Sequence, residues 1–237
     1  MDAILVFNIN NNICSNVLES QIHAANRWGC KYIIEHKPND LFKDCYPSWN
    51  KISALYDKEF YYNFDRILIL DSDILINIKA PNPFDLCNYN AFNVVRDSHY
   101  KYINDKETLN KHIKDYITPH YRYFEIRSHD ISFSYIKNFF NSGVMMYSPA
   151  KLLSRDINNP KYTNIILDSI LDGTSHREQA IINYIIQAEI DINYLDKTWN
   201  IIDPNISKPM RGYMYHFTGK DWSGLKEKVK TYNWKLL

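Results

Sequence analysis

Arg66-Ile67-Leu68-Ile69-Leu70-Asp71-Ser72-Asp73-Ile74-Leu75-Ile76 sets two carboxylates, one residue apart, inside an otherwise apolar run. The near-continuous hydrophobicity before Asp71 predicts a strand buried on both faces, the pattern of parallel sheets. The acids then fall at the strand's C-terminal end. Burying them unpaired is costly, so they must face solvent, meet bases or hold a cation. On the tripeptide alone two readings stay open. One is a strand-ending turn with solvated acids, and the other is chelation of a hard divalent ion such as magnesium or manganese.

Outward from this run the chain alternates. Ile4 to Phe7 predicts a strand, and Val17 to Trp28 a helix with Leu18, Ile22 and Ala25 at helical spacing before Gly29. Tyr32 to Ile34 predicts a second strand and Ser48 to Tyr61 a second helix. Downstream, Ala91 to Val95 and Phe139 to Tyr147 read as strands, Lys161 to Leu171 and Arg177 to Ala188 as helices. Met214 to Phe217 reads as a last strand before a basic C-terminal helix. Asp97 to Lys137 is polar with no clean period, a long loop with a short helix near Glu107 to Tyr116. The order predicts an α/β fold: one domain over 1–237, a mixed, mostly parallel sheet flanked by helices on both faces. Ligands then belong in the loops leaving the C-terminal strand ends.

Composition narrows the function. With 237 residues, 45% of them hydrophobic, the chain can bury a sizeable core. Lys plus Arg number 28 against 27 Asp plus Glu, which gives no electrostatic case for a nucleic-acid or membrane-surface partner. No stretch approaches the roughly 20 apolar residues of a membrane span. The acidic start Met1-Asp2-Ala3 does not read as a signal peptide, and 4 cysteines without a CxxC pair fit a reducing compartment. A cytoplasmic location is expected.

Four ordered blocks then resemble family 8 glycosyltransferases of the glycogenin and galactosyltransferase type. Asp71-Ser72-Asp73 is similar to the DxD block, and it continues into Pro83-Phe84-Asp85-Leu86. Phe140-Asn141-Ser142-Gly143-Val144 is similar to the FNSGV strand. Glu178-Gln179-Ala180-Ile181-Ile182-Asn183 resembles the DQxxLN helix start, and His216-Phe217-Thr218-Gly219-Lys220-Asp221-Trp222 the HFxGxxKPW block. Two departures stand out. Glu178 replaces the usual Asp, and the closing block is two residues shorter, with Asp221 where the family has Pro.

The resemblance implies a GT-A (Rossmann-like) fold, with a nucleotide-binding half over 1–96 ending in the DxD and an acceptor and catalytic half over 97–237. It implies a nucleotide-diphosphate sugar donor, usually UDP-linked, and a manganese (or magnesium) ion held by Asp71, Asp73 and His216. Lys51, Ser72, Gly219 and Lys220 are placed at the donor diphosphate, with Gly219 letting the backbone approach. Asn141 is placed toward the sugar or acceptor, Gly143 keeps the backbone close, and Asp97 holds a sugar hydroxyl. Glu178 and Gln179 are placed on the β face of the sugar, and retention of anomeric configuration is implied. The acceptor is a hydroxyl of a glycan, protein or lipid headgroup.

Each residue also has an ordinary reading. A lone histidine in a Tyr-rich strand is usually packed, a helix lysine such as Lys51 is usually solvated, and Asn and Gly shape turns without ligands. Two other functions share part of this pattern. An aspartate-nucleophile phosphatase also sets D-x-D after an apolar strand, but nearer its N-terminus and with a later acidic pair. A non-catalytic sugar-nucleotide or glycan-binding module would not need Asp71, Asp73, His216 and Gln179 together.

Overall fold

The computed structural model describes residues 1–9, 13–56, 63–97, 138–153, 160–171, 178–202 and 211–217. The apolar run Arg66–Leu70 is β3, and β1 (Asp2–Phe7) lies parallel beside it, with β2 (Lys31–Glu35) parallel on the far side of β1. On the other flank run β6 (Phe140–Tyr147), β5 (Phe92–Arg96) and β7 (Ile192–Leu195). The sheet order is β2-β1-β3-β6-β5-β7, and β6 alone is antiparallel to its neighbours. The sheet is therefore mixed and mostly parallel, as the alternation predicts.

Between β1 and β2 the chain forms α1 (Ser15–Trp28), closed by Gly29 at φ 67, a left-handed C-cap that glycine adopts without steric cost. Its buried face matches the expected one only in part, since Ala25 is buried and Leu18 half-buried. Val17, Ser20, Gln21, Ala24 and Ala25 face inward, whereas Ile22 is 40% exposed. Gln21 is buried because its amide serves a distant turn: Nε2 donates to the Ile74 carbonyl at 2.8 Å, and Tyr32 Oη donates to Oε1 at 2.6 Å. The second expected helix begins as a 3-10 turn at Pro47–Trp49 and continues as α2 (Asn50–Tyr56). The others are α3 (Pro83–Leu86), α4 (Pro149–Leu153), α5 (Pro160–Leu171) and α6 (Glu178–Glu189).

Side chains alternate across the strands, so each face of the sheet builds its own core. Leu5, Ile69, Met145 and Tyr147 pack with Trp49, Ile52 and Leu55 near α2 and with Ile181 and Ile185 of α6. Ile4, Val6, Leu68, Leu70 and Met146 pack against Ala24 and Ala25 of α1. Burial on both faces explains why β3 reads as unbroken hydrophobicity.

A second sheet, in the order β4-β9-β8, joins β4 (Ile74–Ile76) to β9 (Met214–His216) and β8 (Ile201–Ile202). β4 and β9 are antiparallel, with Ile74 opposite His216. A bulge interrupts the β5–β6 ladder: Val94 pairs with Met145, but Val95 pairs with Asn141, so Ser142 to Val144 project out of register. Bulges of this kind re-aim side chains beside functional sites. The short helix expected near Glu107 to Tyr116, most of the loop after Asp97 and the basic C-terminal helix lie outside the described residues.

Candidate active site

The end of β3 turns sharply through Asp71, Ser72 and Asp73 into β4, with the Ile74 amide donating to the Asp71 carbonyl at 3.2 Å. Three backbone or amide bonds from elsewhere hold this turn. The Asp71 amide donates to the Gly143 carbonyl at 3.0 Å, the Phe217 amide to the Asp73 carbonyl at 3.2 Å, and Gln21 anchors the Ile74 carbonyl. Because β4 pairs with β9, the same register delivers His216 to the acids. Its Nε2 stands 3.4 Å from Asp71 Oδ2 and 3.2 Å from Asp73 Oδ1. One ligand atom from each of Asp71, Asp73 and His216 lies within 4.8 Å of the others.

The residues present fit a divalent cation. Asp73 Oδ1 is buried yet accepts no hydrogen bond, an orphan that a cation would satisfy. Two carboxylate oxygens with one imidazole nitrogen form a donor set suited to first-row divalent ions such as manganese. Burial alone would lower the His216 pKa, but the charge of Asp73 and the close approach of Nε2 to both acids push it up to about 10. Burial pushes the Asp71 carboxyl up, while the Lys51 charge and the contact with His216 outweigh it and hold Asp71 well below the usual carboxylate range.

Lys51 is 2% exposed, against the ordinary expectation for a helix lysine. Its Nζ pairs with Asp71 Oδ1 at 2.8 Å and Glu178 Oε1 at 3.1 Å, and donates to Ser142 Oγ at 3.0 Å. The two carboxylates oppose the cost of burial and raise its pKa. Its donors are thus aimed at protein oxygens. Ser48 Oγ donates to the other Glu178 oxygen at 2.7 Å, so the carboxylate that departs from the family pattern is held at both oxygens.

Beyond Glu178, the Gln179 Oε1 accepts from the Ser142 amide at 3.0 Å and Asn141 Nδ2 at 3.2 Å, while its Nε2 donates to Asp97 Oδ2 at 3.2 Å. Asn141 Oδ1 accepts from the Gly143 amide at 2.9 Å and Asn200 Nδ2 at 2.8 Å, and Asn200 Oδ1 lies 3.2 Å from His216 Nδ1. Asp71, Asp73, His216, Lys51, Glu178, Gln179, Asn141, Gly143 and Asp97 are therefore brought together. Ser72 sits half-buried in the turn between the acids. Gly219 and Lys220 lie outside the described residues.

Three members of the cluster escaped the sequence reading. Ser142 stands inside the FNSGV-like block and Ser48 at the start of the second expected helix, but the sequence reading gives neither a role. Asn200 had a faint signal, a lone amide between Trp199 and the apolar pair Ile201–Ile202. Trp199 is buried against Tyr213 and anchors the 3-10 turn Lys197–Trp199 that delivers Asn200, itself 5% exposed.

Comparison with protein-family models gives no match, and comparison with curated proteins gives none. Comparison with solved structures is positive. The galactosyltransferase LgtC, crystallised with donor and acceptor sugar analogs, aligns with a TM-score of 0.59 at 14% identity, over 97% of this chain and 95% of its own. A glycosyltransferase involved in glycosylation of the major capsid of PBCV-1 aligns at 0.58 and 14%, over 98% and 99%. GlyE, a glycosyltransferase of Streptococcus pneumoniae, aligns at 0.55 and 12%, over 99% of this chain and 62% of its own. The chain shares the GT-A glycosyltransferase fold of these proteins. Among the described residues, no helix is long and apolar enough to cross a membrane.

Proposed function

We propose that this chain is a glycosyltransferase of the family 8 type. It moves a hexose or N-acetylhexosamine from a nucleoside-diphosphate sugar, UDP-linked, to a hydroxyl of a glycan, protein or lipid headgroup, with retention of configuration. The observation that carries the reading is the convergence of Asp71, Asp73 and His216 within 4.8 Å at the C-terminal end of β3, where ligands bind in open α/β sheets. The shared fold with LgtC, whose complex held donor and acceptor sugar analogs, supports it.

In this reading Asp71, Asp73 and His216 hold manganese, or magnesium in its place. When bound, such an ion supplies Lewis acidity that offsets charge developing on the departing diphosphate. The chain's own residues do the rest. Lys51 holds Asp71 and Glu178 in place as a buried counter-charge, next to the donor diphosphate. Asn141, Gln179 and Asp97 form the wall against which the sugar is oriented, and Ser72 lies beside the diphosphate. Gly219 and Lys220, outside the described residues, are assigned to the diphosphate by the family resemblance alone. The 4 free cysteines support a reducing, cytoplasmic setting.

A manganese-supplemented hydrolysis screen across UDP-, GDP- and ADP-sugars tests the reading. The expected result is slow release of one sugar from a UDP donor, abolished in Asp73→Asn. Hydrolysis that is unchanged in Asp73→Asn, or independent of any divalent ion, overturns it.

A further inference from the structure

We propose that Asn200 is a positioning residue of this site, which fixes the His216 imidazole as the Nδ1–H tautomer and ties it to the Asn141–Gln179 pair. The inference rests on the functional reading above.

The polarity of the amide chain follows from two backbone N–H groups, whose donor character is not open to choice. The Gly143 amide donates to one side-chain atom of Asn141 at 2.9 Å, which must therefore be the oxygen. Asn200 approaches that same oxygen at 2.8 Å, so the atom it presents must be its nitrogen. Its oxygen then faces His216 Nδ1 at 3.2 Å, and Nδ1 must carry a hydrogen. The other end agrees. The Ser142 amide donates to Gln179 Oε1 at 3.0 Å, so the Asn141 atom 3.2 Å from that oxygen is its nitrogen, and Gln179 Nε2 is left to face Asp97 Oδ2. Every contact from Asp97 to His216 has one donor and one acceptor, and reversing any one amide sets like against like.

With Nδ1 committed to Asn200, only Nε2 can offer a lone pair, and Nε2 is the nitrogen between Asp71 and Asp73. Partners that fix the tautomer of a ligating histidine commonly change cation affinity about 10- to 100-fold when removed. Asn200 is 5% exposed and sits on a turn after Trp199, apart from both β3 and α6. Its carboxamide spans the gap between the imidazole and the residues proposed to orient the sugar.

Two substitutions separate its two bonds. Asn200→Asp keeps an acceptor for Nδ1–H but loses the donor to Asn141; Asn200→Leu loses both. We expect Asn200→Leu to bind manganese about 10- to 100-fold more weakly in a titration followed by the electron paramagnetic resonance signal of the free ion. Asn200→Asp should stay within about threefold of the parent while losing turnover, a split that mere loss of packing would not give. Equal manganese losses in both variants, or none in either, overturn the proposal. Should either variant fail to fold, the parent chain decides. With saturating Mg²⁺, a long-range ¹H–¹⁵N spectrum, its His216 signal identified by its loss in His216→Gln, must show Nδ1 protonated and Nε2 bare; the opposite tautomer overturns the proposal. A parent chain that takes up no manganese fails the site reading itself and takes this inference with it, whereas wild-type binding with an indifferent Asn200 fails the inference alone.

Discussion

A β-carbon on Gly143 would stand 2.3 Å from Cε1 and 2.6 Å from Nδ1 of His216, so the missing side chain of one residue is the space occupied by the ring of the other. The glycine read from sequence as a place for close backbone approach is in fact matched to a histidine in a different sheet. Gly143→Ala should therefore force the imidazole away from Asp71 and Asp73. The expected outcome is loss of manganese affinity by at least tenfold with the far-ultraviolet circular dichroism spectrum retained. Unchanged affinity would show that the ring can give way without leaving the acids.

Asp73→Asn removes a carboxylate whose Oδ1 accepts no hydrogen bond and has His216 Nε2 at 3.2 Å as a charged neighbour, which Asp71 also contacts. The fold should survive, with a melting temperature within a few degrees of the parent. Calorimetric binding of UDP in the presence of manganese should vanish, and retained binding would sink the assignment of the cation ligands.

Lys51 pairs with two carboxylates from inside the protein, with its side chain 3% exposed. Breaking a buried pair on one side leaves uncompensated charge, at a cost of about 3–5 kcal/mol. Lys51→Met should show a loss of that size in urea unfolding, and Glu178→Gln added to it should recover part of the stability. A solvated lysine would give less than about 1 kcal/mol and no recovery.

Cation uptake should be linked to protons. Without a metal, His216 titrates near pH 10, raised above its ordinary value, so at neutral pH the imidazole is protonated and must release a proton to become a ligand. Affinity should rise with pH, by up to about tenfold per unit below that value, and fall as the solution is acidified. Calorimetry in two buffers of different ionisation enthalpy would count the proton; a count of zero would mean that His216 stays outside the coordination sphere.

Gln179→Ala should lower donor hydrolysis far more than UDP affinity, because its amide lies at the wall proposed to face the sugar and makes no contact with the cation cluster. Equal losses in both would assign it to binding only.

How much of this was legible in the sequence depended on the range of the interaction. β1, β3 and β6 are apolar because both faces are buried, and that pattern is local, so their positions could be read directly. β7 (Ile192–Leu195) was not read, since it is only half-buried at the sheet margin and its alternation is weak. The antiparallel sense of β6 and its bulge are pairing properties that no single segment encodes. Within the site, Asp71 and Asp73 announce themselves as charges in an apolar run. Lys51 does not: its burial is decided by Asp71, Ser142 and Glu178, three partners remote in sequence. Asn200 is harder still, an amide whose purpose is visible only once a backbone N–H at Gly143 has set the direction of the hydrogen bonds. On α1 the pattern marks Ala25 but not Gln21, which is buried to serve a turn on another element, while Ile22 is left exposed.

The two halves of the cation cluster are far apart in translation. Asp71 and Asp73 precede His216 by more than a hundred residues, and the β4–β9 pairing brings them together. A polypeptide lacking β9 keeps the two acids but not His216, so the three-residue cluster exists only once β9 has been made and has paired with β4. Since an ion that prefers the native arrangement stabilises it by mass action, a cation held at the proposed site would tie the second sheet to the end of β3 and slow its opening.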